Sequence, residues 1–521
     1  MVIGQTATAA GQAEVVGFLS NPLSHVGGGP VERVETHGNF VFLSGSDAWK
    51  IKRAVRFPYM DFSTLERRRA ACEQEVAINR RFSPDLYLGC VPITRTSVGT
   101  LAFAGGGEVL EWAVHMRRFE QSALLSSIAA NGSVSDDFAK SLAGVVFDSH
   151  AMAERRPTAS GSASIRTLVG SVCGSLSACD GLDRNDVARL TDRLNAEVEK
   201  TASLLDGRAR DGYVRRCHGD LHLANVVMWQ GRPMLYDAIE FDDAMGTIDT
   251  LYDLAFLLMD LDCCGQRRAA NVVLNRYLWR SGDTRDLEAL AALPLFMGLR
   301  AAIRAMVTID RMRQENAEAG RRDLDRARMY LSGALSYVTR PAARLIAIGG
   351  RSGTGKTTLA AALAPTVGNA PGAVHLRSDL ERKAAAGVGE FERLSAHSYT
   401  RENSVRIYAL LEQKARVILA AGCPVVVDAV YASEQERRDI EAVAEALGLA
   451  FDGIWLTAER DTLVARVEAR RNDASDATPD VVDAQSQYDV GEMSAAWRVI
   501  DAGGAAADTQ QLAASHLGLE P

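Results

Sequence analysis

One octapeptide constrains this chain more than any other stretch. Residues Gly350 to Thr357 read Gly-Arg-Ser-Gly-Thr-Gly-Lys-Thr, which fits G-x-x-x-x-G-K-[ST]. The apolar run RLIAIGG leads into it and the helix-forming run KTTLAAALA leads out. A strand that turns through glycines into a helix is the setting in which this pattern cradles phosphate. Gly350, Gly353 and Gly355 let backbone N–H groups turn inward, and the helix N-terminus adds unpaired donors and partial positive charge. Lys356 is expected at the β/γ-phosphates of ATP, the Thr357 hydroxyl at Mg²⁺, and Thr358 beside them on the nucleotide side. Further apolar runs follow at AVHLRSD, PVVVDA, DGIWLT and RVIDAG, with helical segments between them. Strands alternating with helices predict a doubly wound parallel α/β sheet, here over residues 341–521.

Three more features fall inside that region. Asp379 follows the strand AVHLRS, and Arg382 comes three residues later. This D-x-x-R arrangement resembles the substrate-side motif of small P-loop kinases of the gluconate-kinase, adenylylsulfate-kinase and zeta-toxin type. The resemblance implies that Asp379 orients or deprotonates an acceptor hydroxyl and that Arg382 holds substrate or phosphate; a carboxylate has the lone pairs for the first task. Asp428 ends the apolar strand PVVVD, the Walker B position, where an acid supports Mg²⁺ or its waters. Arg466, Arg470 and Arg471 lie in RVEARRNDASDA, with Arg466 and Arg470 on one helical face. They resemble the arginine-bearing lid that closes over ATP in the same kinases, where guanidinium groups neutralise the transferring phosphoryl group.

A second constellation lies far upstream, in CHGDLHLANVVMWQGRPMLYDAIEF. His218-Gly-Asp220 is followed by Asn225, and Asp237 comes after a second short strand. The spacing parallels the H-R-D-x-x-x-x-N and D-F-G elements of protein kinases. The form HGDLH-x-x-N resembles the aminoglycoside phosphotransferase and choline-kinase-like branch. That resemblance implies Asp220 as catalytic base, with Asn225 and Asp237 offering Mg²⁺ the hard oxygen ligands it prefers. His218 and His222 are read as bracing the loop, and Asp249 and Asp253 as anchoring a helix. The small lobe upstream should bring a lysine on a strand and a glutamate on a helix. VERVET, NFVFLSG and AWKIKRAV read as three strands, and a helix starts at Ser63, with Glu66 in capping-box position. Lys50 and Lys52 share one strand face; the family register selects Lys52 for phosphate, paired with Glu75 on the helix. No G-x-G-x-x-G joins the first two strands; THGN, Thr36 to Asn39, is the turn available there.

Between these motifs the chain from about Glu111 to Arg340 reads as mostly helical, with a Ser/Gly/Ala-rich loop at Thr158 to Ser164. A small mixed lobe followed by a helical lobe predicts a two-lobed protein-kinase-like fold over residues 1–340. The whole resembles the bacterial tandem proteins called bifunctional aminoglycoside phosphotransferase/ATP-binding proteins. SDAWKIKRAVRFPYMDFSTLERRRAACEQEVAINRRF, the HGDLH segment, IEFDD, GRSGTGKTT, RSDLERK and RRNDASDA carry that resemblance. It implies ATP in both halves, with small hydroxyl-bearing acceptors, and leaves the acceptors unnamed because the fold hosts many chemistries. An ATP-binding regulator, or a kinase of nucleic-acid 5′-hydroxyl ends in the P-loop half, stands as the alternative.

Composition narrows the partners. The 521 residues carry a net charge of −8 and are 47% hydrophobic, so the chain can bury sizeable cores but lacks the bulk basic charge of a nucleic-acid or anionic-membrane binder. The longest apolar run, around Leu290 to Ile309, is interrupted by Arg300 and Arg304, which argues against a membrane span. MVIGQTATAA has no basic region ahead of an apolar stretch, so no secretory signal is expected. Eight scattered cysteines with no C-x-x-C pair fit a reducing cytoplasm, with adjacent Cys263 and Cys264 read as buried small hydrophobes.

Overall fold

The computed structural model describes residues 9–36, 38–57, 60–158, 160–179, 181–312, 317–471 and 473–519. The chain divides into two compact units, residues 1–159 with 207–257, and residues 160–206 with 258–521. The expected boundary at Arg340–Pro341 lies inside the second unit. His37, Ala159 and Asn472, which belong to the THGN turn, the Ser/Gly/Ala loop and the arginine lid, lie outside the described residues.

The first unit is built on a six-stranded antiparallel sheet. Its order is Val31–Glu35, Asn39–Ser44, Asp47–Lys52, Glu108–Arg117, Tyr87–Arg95, Leu101–Phe103. The three strands read from the sequence are the first three of that sheet. Lys50 sits in register with Val41 on one side and Val114 on the other, in the middle of the sheet. Helix Leu65–Asn79 packs on the sheet through Cys72 and Val76, against Val114, Leu86 and Tyr87. Its N-cap is Thr64, not Ser63: Thr64 has extended backbone, and its hydroxyl accepts from the Arg67 amide. A helix that the sequence reading did not anticipate, Ala9–Ser20, buries Val15 and Leu19 against Phe42, Ile51 and Ile93. After the sheet come a hairpin, Val226–Trp229 with Arg232–Leu235, and a short antiparallel pair, Val214–Arg216 with Thr247–Asp249.

The second unit holds a five-stranded, all-parallel sheet in the order Val374–Arg377, Val425–Asp428, Arg344–Gly350, Ala450–Thr457, Trp497–Asp501. Its central strands are continuously buried, as expected where helices cover both faces of a parallel sheet. Ile346, Ile348, Val426, Ile454 and Leu456 meet Leu359, Leu363 and Leu517 from the helices in one core. Burying each such side chain stabilises the fold by roughly 1.5–3 kcal/mol. The register ends Gly350, Asp428 and Arg377 at the same carboxyl edge, where open α/β sheets bind ligands. The predicted fold class is therefore the observed one: a protein-kinase-like part followed by a P-loop part with a doubly wound sheet.

Two expectations are corrected here. Thr158 to Ser164 is not all loop, because helix Gly161–Ser177 starts within it. The Ser162 amide is capped at 2.9 Å by Asp206, a residue remote in sequence, so no local signal marks that start. Cys263 and Cys264 are not a buried pair: Cys263 is partly covered and Cys264 exposed. One helical stretch, Thr284–Met312, has the length and apolarity to cross a membrane, but 67% of its apolar window is buried in the fold. Within that stretch Arg300 is buried and Arg304 half-buried.

Candidate functional site

In the first unit the two strand lysines and the helix glutamate form one buried charge chain. Glu75 is fully buried; it accepts from Lys50 Nζ at 2.9 Å and from Lys52 Nζ at 2.6 Å. Lys50 reaches on to Asp237 at 2.7 Å, and Lys52 to Glu240. Burial alone would raise the Glu75 carboxyl, but the two ammonium groups outweigh it and hold it at about 2. Burial would likewise discharge Lys50, and Asp237 and Glu75 reverse that, keeping it a firm cation. Glu73, by contrast, lies on the outer face of the helix, paired with Arg69.

The two strand lysines differ in surroundings. Lys52 was expected at phosphate, yet its side chain has no exposed surface and is clasped between Glu75 and Glu240. Lys50 is the lysine that touches both Glu75 and Asp237, and Asp237 is 43% exposed. Both lysines lie on one strand face, but the Lys50 side chain is 11% exposed and the Lys52 side chain not at all. Glu240, in IEFDD, was not singled out from the sequence; its burial raises its carboxyl, opposed by Lys52.

The loop carrying Asp220 is pinned from below. Gly219 has φ +85°, and a Cβ there would meet Gly246 and Ile239 at 3.2 Å, so the tight turn requires glycine. The Asp253 carboxylate accepts the amides of His218 at 3.1 Å and Gly219 at 3.0 Å, and faces His150 at 3.2 Å. Asp253 thus anchors the loop as well as sitting on its helix. Asp249 pairs with buried Arg208 at 2.8 and 2.9 Å and accepts the Leu251 amide. His218 binds the Tyr236 carbonyl, and its burial pushes its pKa down. Asn225 donates to the Asp220 carbonyl at 2.9 Å and carboxylate at 3.0 Å, so these two motif residues meet. Asp237 has φ +60°, a left-handed conformation; the Tyr87 hydroxyl accepts its amide, and Asn79 accepts the next one. Asp253→Ala is expected to lower the unfolding free energy by about 2–4 kcal/mol, because two buried donors lose a charged acceptor. Urea unfolding of the full chain measures it, and a loss below about 1 kcal/mol contradicts the anchor.

In the second unit Gly350, Gly353 and Gly355 all have positive φ, at +138°, +89° and +89°. A Cβ at Gly353 would meet the Leu463 backbone at 2.7 Å, so this turn admits only glycine. Helix Lys356–Leu363 starts directly from it, and Thr358 lies in that first turn. Lys356 Nζ donates to the Arg351 carbonyl at 2.9 Å, and burial lowers its pKa to about 8. The Thr357 hydroxyl donates to Asp428 at 3.0 Å, which brings two sequence-selected residues together. His375, which the sequence reading passed over, bonds the other Asp428 oxygen at 2.6 Å. Burial would raise the Asp428 carboxyl; that bond, with Arg377 and Lys356, holds it below the usual range. No local signal marked His375: its strand alternates apolar and polar residues, and its partner lies 53 residues away. Gln485 accepts the Ser352 amide at 2.7 Å and was also missed.

Asp379 opens helix Ser378–Ala385, and burial, with the Asp428 charge, raises its carboxyl. Arg382 donates to the Ser398 carbonyl at 2.6 Å and lies over the Tyr399 ring. The lid arginines separate. Arg466 donates to the carbonyls of Ala502 at 2.7 Å and Gly504 at 2.9 Å. Arg470 bears on Lys356 electrostatically, and its Nη1 is buried with no hydrogen-bond partner. Arg471 donates to the Glu468 and Arg470 carbonyls.

A family model described as an AAA domain matches residues 345–488. The uncharacterized protein Rv2004c of Mycobacterium tuberculosis is 30% identical over 470 residues, spanning 88% of this chain and 90% of its own. Mb2027c of Mycobacterium bovis matches to the same extent. Among solved structures, a choline/ethanolamine kinase family protein from Mesorhizobium loti aligns with 63% of this chain and 99% of its own, at 13% identity and TM-score 0.37. A gluconokinase from Sinorhizobium meliloti 1021 aligns with 34% of this chain and 92% of its own, at 19% identity and TM-score 0.26.

Proposed function

The chain belongs to the family of the mycobacterial protein Rv2004c, and we propose that it is a Mg²⁺/ATP-dependent kinase with two nucleotide sites. Each site passes the γ-phosphoryl group to a hydroxyl of a small polar molecule. One site works within residues 1–340 and the other within 341–521. The observation that carries the reading is a double convergence: the Lys50–Glu75–Asp237 group and the Asp220–Asn225 pair, joined where the Tyr236 amide donates to the Asn225 carbonyl at 3.0 Å, and Lys356, Thr357 and Asp428 beside Asp379. Phosphoryl transfer asks a protein mainly for positioning and charge neutralisation, and both sets consist of the groups that do this.

The donor chemistry fits Mg²⁺. Asp237 and Asn225 in one site, and Thr357 and Asp428 in the other, present hard oxygen atoms. When bound, the metal would supply charge neutralisation on the phosphates. In the first site Lys50 would hold phosphate, fixed by Glu75, with Lys52 beneath as a structural cation. Asp220 would accept the hydrogen bond of the acceptor hydroxyl. That oxygen bonds the γ-phosphorus as the bond to the β,γ-bridging oxygen breaks, ADP leaves, and the hydroxyl proton passes to Asp220. In the second site Lys356 would leave the Arg351 carbonyl for the phosphates, Asp379 would play the base, and Arg382 would hold the acceptor. Arg470, rather than Arg466, is the lid arginine facing the nucleotide. The eight free cysteines fit a cytoplasmic location.

A metabolite extract incubated with γ-labelled ATP and Mg²⁺ tests the proposal. Labelled small-molecule products should appear with wild type and vanish with the double variant Asp220→Ala/Lys356→Ala. ATP binding without any such product would reject the kinase reading in favour of a nucleotide-sensing regulator.

A further inference from the structure

Strand Val374–Arg377 is one of the two edges of the parallel sheet. An edge strand presents unpaired backbone groups that need a cover. Within the second unit that cover is helix Arg267–Ser281, which lies outside the P-loop segment in sequence. Asn271 donates to the Pro371 carbonyl at 3.0 Å and the Ala373 carbonyl at 2.9 Å. Asn275 donates to the Ala373 carbonyl at 3.3 Å and accepts the His375 amide at 2.7 Å, doing the work of a neighbouring strand. His375 is the residue that holds Asp428, which holds Thr357.

The same helix also grips the acceptor side. Trp279 Nε1 donates to the Leu380 carbonyl at 3.3 Å, one residue beyond Asp379. Arg276 Nη1 meets Glu390 at 2.7 Å, with the two side chains only 20% and 6% exposed. The other Glu390 oxygen lies 4.0 Å from Arg377, whose charge acts on Asp379 and Asp428. Arg276 and Arg377 therefore share one buried carboxylate. Removing Arg276 leaves Glu390 to Arg377 alone, and the segment between Leu380 and Glu390 loses its hold at one end. A buried ion pair is a poor way to add stability, since desolvation offsets most of its attraction. A fixed geometry is what such a pair does provide here.

We propose that helix Arg267–Ser281 is a working part of the P-loop site, with Arg276 a positioning residue that acts through Glu390 on the acceptor-bearing segment. The proposal rests on the kinase reading for its activity but not for its geometry. The P-loop half would accordingly depend on a helix drawn from the other half of the sequence.

The test uses the full chain in an Asp220→Ala background, so that labelled product reports the P-loop site alone. Arg276→Glu should reduce transfer from γ-labelled ATP into the extract by about tenfold or more, with KM for ATP within about twofold of the parent. The charge swap Arg276→Glu/Glu390→Arg should restore transfer to within about threefold, which lost packing could not do. Amide hydrogen exchange over residues 378–390 should rise about tenfold in the single variant and return in the swap. Exchange unchanged in a folded Arg276→Glu chain, or raised and not restored by the swap, overturns the proposal. If the parent yields no product that Lys356→Ala removes, the kinase reading falls instead, and the exchange result alone decides the positioning claim.

Discussion

Lys356→Ala should cut the labelled products of the P-loop site by about 10³-fold and leave those of the first site within about twofold, with Asp220→Ala doing the reverse. Lys356 is the cation at the mouth of a loop whose three glycines have positive φ. Its Nζ donates to the Arg351 carbonyl. Alanine removes the full positive charge of the motif lysine; Arg351, the other cation of the motif, donates to the Ser486 carbonyl at 3.4 Å, and the backbone amides are partial charges. Asp220 stands on a loop pinned by Asp253, so on the proposed reading its loss would remove the acceptor's partner without releasing the loop. The two residues lie in different compact units, which is why neither change should reach the other site. Product profiles from the γ-labelled extract measure both. If either single change silenced every product in a folded chain, the two-site reading would be wrong.

The second large effect separates neighbours two residues apart. Lys50→Ala should lower first-site turnover by about 10²–10³-fold while the chain stays folded. Lys52 still neutralises Glu75 in that variant, and Asp237 has solvent to turn to. Lys52→Ala should instead destabilise the first unit by about 3–5 kcal/mol, because Glu75 and Glu240 then share buried negative charge with one cation too few. Turnover measured on the chain that still folds should fall less than for Lys50→Ala. Thermal unfolding followed alongside product formation distinguishes the two. A Lys52 variant of wild-type stability with abolished turnover would return the phosphate role to Lys52.

How much could be read in advance depends on how local each interaction is. The phosphate loop was legible because its chemistry is written in consecutive residues: glycines where φ must be positive, then lysine and a hydroxyl at a helix start. Asp220 with Asn225 was legible for the same reason. The different partners of Lys50 and Lys52 were not, because alternation puts both on one face and only the fold brings Asp237 to one and Glu240 to the other. His375 and Gln485 were invisible because each acts on a residue distant in sequence. Arg466 and Arg470 share a helical face by spacing, yet the carbonyls after strand Trp497–Asp501 capture one and not the other.

By itself, then, the sequence determined the two phosphate-handling motifs, the strand–helix alternation around one and the antiparallel strands before the other. Those follow from short-range conformational preference and from the residue types that phosphate chemistry requires. Tertiary structure decided which charges are buried together, which lysine keeps a route to solvent, and that helix Arg267–Ser281 serves as the missing neighbour of an edge strand. The reason is physical: burial and long-range pairing depend on which segments the fold brings together, and no local pattern records its partner across a hundred residues.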